Sequence, residues 1–149
     1  MLIEKKLEEM GIELRWGRNP RHNRVYALRT GNLIYLSGAT GGPDYRGKVG
    51  RDLTVEQGYE GAKRAAIGLL TSLEEYLRDL DKVKQWIKLL CLVNTAEDFY
   101  DSPAVANGAS DLIVALYGER GRHSRSAVGI ACPAGNSCIE IEALVEVED

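Results

Sequence analysis

Cysteine is scarce in this chain. Cys91, Cys132 and Cys138 are three among 149 residues. An odd number without a C-x-x-C spacing excludes a disulfide framework and a closed zinc site, and it fits a reducing, cytoplasmic setting. Cys132 and Cys138 flank a turn, and the spacing leaves open whether they lie close together or serve as two small apolar residues. Long apolar runs are also lacking. None approaches the roughly 20 residues of a membrane helix, so no membrane association is expected. The stretch MLIEKKLEEMGIEL mixes acids with lysines and lacks the apolar region of a signal peptide. Basic excess is missing too: a net charge of −3 and a pI near 5.5 argue against a general nucleic-acid binder. No repeat, linker or low-complexity segment divides the chain. Residues 1–149 therefore read as a single domain, with 1–24 as an N-terminal helix and basic loop extension.

What is present has clear periodicity. Residues 2–10 place Leu2, Ile3, Leu7 and Met10 at helical spacing, with Gly11 as a stop. Residues 13–24 contain Gly17, Asn19 and Pro20, so a loop is expected. Arg15, Arg18, Arg21, His22 and Arg24 make it basic, either as a solvated loop or as an anion-contacting flap. Residues 25–29 and 33–37 about a Gly31-Asn32 turn predict a β-hairpin. The glycine-rich segment 42–49, GPDYRGKV, falls one residue short of a phosphate-binding loop. Val49 stands where a magnesium-holding hydroxyl belongs, and Gly50 and Asp52 follow instead of a helix.

Thr54 and Gln57 form a capping-box pair, and the next residues predict a helix to about Arg78. Its apolar face is Val55, Tyr59, Ala62, Ala66, Leu69, Leu70, Leu73 and Leu77. Residues 83–94 predict a strand with Val83, Ile87, Leu89, Cys91 and Val93 on one face and Trp86, Leu90 and Leu92 on the other. Apolar residues on both faces require both to be covered. Helices suffice for one, so another subunit is inferred for the second. Ser102-Pro103 opens a further helix to about Tyr117. In 138–147, Ile139, Ile141, Ala143, Val145 and Val147 alternate with Glu140, Glu142, Leu144 and Glu146. The order is a helix followed by ββαβαββ. This is an α+β arrangement with a mixed sheet and both main helices on one face.

Candidate chemistry gathers in residues 122–142, which predict two short strands joined as a hairpin by a Pro-Ala-Gly-Asn turn. Arg122, His123 and Arg125 stand at its start, and Glu140 and Glu142 near its end. A guanidinium with nearby carboxylates could hold and process a small anion. Alternatively, Arg125 salt-bridges Glu140 or Glu142 across a subunit interface, and Glu140 belongs to a solvated face. His123 either titrates beside the arginines or is a surface histidine.

Three motifs carry a resemblance. They are Gly31-Asn32-Leu33-Ile34-Tyr35-Leu36-Ser37-Gly38, Arg125-Ser126-Ala127-Val128 and Ile139-Glu140-Ile141-Glu142-Ala143. Over residues 31–147 their spacing resembles the YjgF/RidA family, once named endoribonuclease L-PSP. The length and the stretch NGASDLIVALYGERGRHSRSAVG are similar to a longer, less characterised subgroup. The resemblance implies a chorismate-mutase-like fold and a homotrimer whose sheets form a central barrel, with clefts between subunits. RidA members hydrolyse reactive 2-imino or enamine acids to 2-keto acids and ammonia, without metal or organic cofactor.

By position, Arg125 matches the arginine that pairs with the substrate carboxylate, and Glu140 the glutamate that places the attacking water. Ser37 and Asn107 match polar pocket residues. The chain departs from the pattern at Arg24, which stands where the family's pocket tyrosine is usual; Tyr26 comes two residues later. Ala127 replaces a frequent cysteine. A second arginine implies either a doubly charged ligand or a salt bridge filling the pocket. Two other functions stay open: a non-catalytic metabolite-binding or interaction protein using the same clefts, and an endoribonuclease. The latter rests on the arginine clusters at 15–24 and 120–125, against an acidic chain that offers no aromatic stacking platform.

Overall fold

A computed structural model describes residues 1–15 and 23–149. The elements in chain order are α1 (Leu2–Glu9), β1 (Ala27–Thr30), β2 (Leu33–Thr40), α2 (Val55–Leu77), β3 (Val83–Asn94), α3 (Ser102–Tyr117), β4 (Ser124–Ile130) and β5 (Ile139–Val147). The expected ββαβαββ succession after a first helix is therefore found. The strands form one sheet in the order β1-β2-β5-β3-β4, in which β3 and β4 are parallel and the other neighbours antiparallel. Of the basic loop expected at 13–24, Arg18, Arg21 and His22 lie outside the described residues. Among the described residues no helix is long and apolar enough to cross a membrane.

The capping box forms as the sequence predicts. The Thr54 hydroxyl accepts from the Gln57 amide at 3.1 Å, and the Gln57 side chain accepts from the Thr54 amide at 2.9 Å. Four of the orphan groups at a helix start are thereby reduced by two. The apolar stripe of α2, with Ala62, Ala66, Leu69, Leu70 and Leu73 fully buried, lies on β2 and β5. At the start of α3 the cap is Asp101, which accepts from the Ala104 amide, one residue before the expected Ser102. Helices α2 and α3 pack side by side because Gly108 has no side chain: a Cβ there would lie 1.9 Å from the Tyr59 carbonyl oxygen.

The sheet's covered face carries Ile34, Leu36, Leu89, Cys91, Ile141, Ala143 and Val145, all buried under the two helices. Strict alternation misplaces one large residue. Irregularities in the β3–β5 register at Val83/Gln85 and Trp86/Lys88 turn Trp86 onto the covered face, where it is fully buried and meets Tyr117 edge-on at 5.8 Å. Ile87 gives up the place that the alternation assigned to it.

The expected hairpin of residues 122–142 is not formed. β4 pairs with β3 and β5 pairs with β3 on its other side, so β3 separates them. The connection 131–138 is long enough to step over the end of β3, and the buried Asn94 fastens it there. The Asn94 amide donates to the Cys138 carbonyl at 2.8 Å, and its side chain donates to Asn136 at 3.0 Å and to the Gly47 carbonyl at 3.1 Å. Lys48 completes the clasp by donating to the Asn94 side chain at 2.8 Å and to the Ala131 carbonyl. The lysine of the near-miss phosphate motif is thus a structural tie.

The other face of the sheet has no cover among the described residues. Across it run Leu28, Tyr35, Leu144, Lys88, Leu90, Leu92, Val128, Glu140 and Glu142. Leu28 is 63% exposed, Tyr35 53% and Val128 47%.

Candidate active site

Arg125 lies in the second position of β4, opposite Leu89, so its side chain leaves the sheet on the covered face. β4 is the edge strand, and α3 runs beside it. The guanidinium reaches α3 and uses one nitrogen twice: Nη1 donates to Asn107 Oδ1 at 2.9 Å and to Ser110 Oγ at 3.1 Å. Asn107 and Ser110 are three residues apart, which places them on one helix face. Ser110 Oγ also lies 2.9 Å from His123 Nε2, and His123 Nδ1 lies 2.6 Å from the Gly121 carbonyl.

Within one chain, neither Glu140 nor Glu142 salt-bridges Arg125 among the described residues. Nε and Nη2 have no partner among the described residues. Among the described residues, the charge is therefore held in place by neutral groups and is not neutralised. It is felt nearby: Cys91 is pushed up to about 11 by burial, and Arg125 acts against that rise. His123 is half-buried and has both nitrogens engaged, so it is no free surface histidine. Burial holds its pKa below the ordinary value; the Gly121 carbonyl opposes the shift and Arg125 adds to it.

Glu140 occupies β5, between Thr40 on β2 and Leu92 on β3, and points to the open face as the alternation predicts. Its carboxylate has no hydrogen-bond or ion-pair partner among the described residues. Room for it comes from a bulge in β2. Ser37 and Gly38 together oppose Glu142, between Leu36 opposite Ala143 and Ala39 opposite Ile141. A Cβ on Gly38 would stand 2.9 Å from the Glu140 side chain, so only glycine leaves this space clear. The Ser37 hydroxyl is already occupied, donating to the Val25 carbonyl at 2.6 Å, and the Ser37 amide donates to the Tyr26 carbonyl at 2.9 Å. Arg24 is exposed and lies over the Tyr26 ring at 5.0 Å.

The predicted residues thus fall into two groups. Arg125 and Asn107 meet at the β4 edge. Glu140, Ser37 and Arg24 belong to the β1-β2-β5 side. Arg125 and Glu140 are two strands across and three residues along from each other, roughly 14 Å between Cα atoms by ordinary sheet spacings, and on opposite faces. One chain alone does not bring them to a single small molecule. Sequence reasoning missed Ser110 altogether. The signal was its i,i+3 relation to Asn107.

A family model described as "YjgF/chorismate mutase-like, putative endoribonuclease" matches residues 21–145. The chain belongs to the YjgF/RidA family. Within it, Protein TCP17 of Trypanosoma cruzi is 36% identical over 99% of this chain and 95% of that protein. The crystal structure of Atu1372 from Agrobacterium tumefaciens, a protein of unknown function, superposes with a TM-score of 0.91 at 37% identity, covering 99% of this chain and 94% of that one. A Shewanella oneidensis structure described as a "putative endoribonuclease" gives 0.92 at 26% identity, over 99% and 100%. RidA from an Antarctic Psychrobacter shares the fold at a TM-score of 0.57 and 20% identity, over 87% and 92%. The α+β mixed sheet is thus the YjgF/RidA fold.

One acidic triplet has metal-ligand proximity: oxygens of Glu4, Asp79 and Asp81 lie within 4.8 Å of one another. Backbone amides account for it. Asp81 caps α1 through Leu2 and Ile3, Glu4 accepts from Leu80, and Asp79 accepts from Asp81.

Proposed function

We propose that the chain assembles as a homotrimer with the open sheet faces closed into a central barrel. We further propose that it hydrolyses reactive 2-imino or enamine acids to 2-keto acids and ammonia at clefts between subunits. The observation that carries this reading is the unneutralised guanidinium of Arg125, immobilised by neutral partners with Nε and Nη2 left available. A planar pair of N–H donors suits a carboxylate and fixes its orientation as well as its charge. The unpartnered Glu140 supports the second half of the chemistry, and its separation from Arg125 within one chain favours a site shared between subunits. Six apolar side chains on an uncovered face support the assembly. No metal or cofactor is called upon, and the only other partner is a small carboxylate-bearing metabolite.

In this reading Arg125, with Asn107 beside it, holds the substrate carboxylate. Ser37 shapes the bulge that seats Glu140, and Arg24 at the rim favours a ligand with a second acidic group. Water attacks C2 of the iminium, its oxygen forming the new bond while the C=N π pair moves to nitrogen. Glu140 takes the water proton and returns it to the nitrogen of the carbinolamine. The C–N bond then breaks as the C2–OH proton is lost, so iminium plus water gives keto acid plus ammonium. A positioned general base contributes about 100-fold or more.

The test is a coupled assay with freshly generated 2-iminobutanoate. Acceleration over buffer that is lost in Arg125→Ala is expected. No acceleration, with 2-ketobutyrate still raising the melting temperature, would replace hydrolysis by metabolite binding. Salt-dependent RNA cleavage surviving Arg125→Ala would return the endoribonuclease reading.

A further inference from the structure

We propose that His123 and Ser110 are positioning residues for Arg125, and that the aim of the guanidinium depends on His123 being neutral. This rests on Arg125 being the carboxylate anchor. The argument follows from which groups can only donate and which can only accept. The Gly121 carbonyl accepts only, so the proton at 2.6 Å from it is on His123 Nδ1. In a neutral imidazole Nε2 is then an acceptor, and the Ser110 hydroxyl, 2.9 Å away, must donate to it. With its proton so committed, Ser110 Oγ turns a lone pair toward Arg125 Nη1, which donates at 3.1 Å. Every proton in the row Gly121–His123–Ser110–Arg125 is fixed from its two ends.

Protonation of His123 reverses the middle of this row. Nε2 then donates to Ser110, whose own proton loses its acceptor, and one oxygen must serve two cations. No described carboxylate hydrogen-bonds to His123 or Ser110. Arg125 on β4 is a cation, Asp111, which follows Ser110 on α3, accepts from Tyr59, and Arg122 and Glu119 on the preceding turn pair with each other at 3.9 Å. Acidification should therefore loosen Arg125 and weaken the hold on an anionic substrate.

The experiment compares Ser110→Ala, His123→Leu and His123→Gln with the wild type. Gln keeps a carbonyl that can accept from Ser110; Leu does not. Ser110→Ala and His123→Leu should raise KM about 10-fold with kcat changed less, the expected size for one lost hydrogen bond to a charged group. His123→Gln should keep the wild-type KM and lose the rise of KM toward acid. Imidazole nitrogen NMR of the wild type should show the Nδ1–H tautomer, and the Arg125 Nε–H signal should exchange faster as His123 titrates.

An Nε2–H tautomer, an Arg125 signal indifferent to that titration, or unchanged KM in both Ser110→Ala and His123→Leu overturns the proposal. The spectroscopic arm needs no turnover. If the protein neither hydrolyses imines nor binds 2-ketobutyrate, the proposed function fails while the positioning row is still decided.

Discussion

The two faces of the sheet use the same strands to opposite ends. On the covered face the large side chains of β2, β3 and β5 are buried against the helices, and its charged residues, Arg29 on β1 and Arg125 on β4, sit at the two edges, Arg125 with its contacts to Asn107 and Ser110. On the open face apolar residues lie exposed beside a glutamate that bonds to nothing described. The covered face holds the fold together. The open face is where a second copy would gain by covering, and it carries Glu140, the carboxylate proposed as the base. The proposed function, split between the faces, would need the assembly; a fold resting on one face does not.

The largest effect that sharpens this contrast comes from two neighbouring residues of β3. Leu89→Ala, on the covered face, should destabilise by about 2–5 kcal/mol in urea unfolding, because a full cavity opens under the helices. Leu90→Ala, one residue on, should cost a dilute single chain less than about 1 kcal/mol, since half-exposed positions leave no enclosed void. Equal losses in both variants at a dilution where only monomers sediment would erase the distinction.

Next come the two charged residues. Arg125→Ala should lower kcat/KM roughly 100-fold, KM rising as kcat falls, through loss of charge-assisted bonds. Glu140→Gln should lower kcat about 100-fold with KM nearly constant. Its melting temperature should match the wild type, because the carboxylate has no described partner to lose. A destabilised Glu140→Gln would mean that this face is structural after all.

Thiol chemistry reads the same contrast directly. Cys91 and Cys138 are buried, their pKa values each pushed up to about 11 chiefly by burial, whereas Cys132 is exposed. One thiol per native chain should react with Ellman's reagent, and three after unfolding.

The smallest effect is a pH dependence. His123 titrates below its ordinary value when folded, so the unfolded chain binds the extra proton first. The stability that it contributes is therefore complete above about pH 6.5 and lost as pH falls through the lower, folded value. The urea midpoint should drop slightly more between pH 7.5 and 5 in the wild type than in His123→Gln.

Much of this architecture was legible from residue spacing. The Thr54–Gln57 box, the stripe of α2 and the alternation of β5 are local signals, and local structure obeyed them. Glu140 reached the expected face for the same reason. What failed was non-local. The adjacency of β4 and β5 in sequence suggested a hairpin, but β3 lies between them, and only the buried Asn94 and the tie from Lys48 reveal why. Trp86 changed face through a register shift that no alternation can display. Arg125 and Asn107, each named separately from the sequence, meet at the β4 edge. Ser110, which joins them there, was not named, because it is the fold that brings it to Arg125 and to His123 on a different element.

The place of β5 has a consequence for how the molecule is made. It is the last strand in the sequence and lies in the interior of the sheet, joining β2 to β3. During synthesis β2 leaves the ribosome about 5–20 seconds, and β3 roughly 2–9 seconds, before their shared neighbour, at ordinary elongation rates of about 5–20 residues per second. Until residues 139–147 emerge, the two halves of the sheet have no common strand. The sheet can close only after residues 139–147 have emerged, and the β2–β5 pairing then closes a loop of about 100 residues as its decisive step.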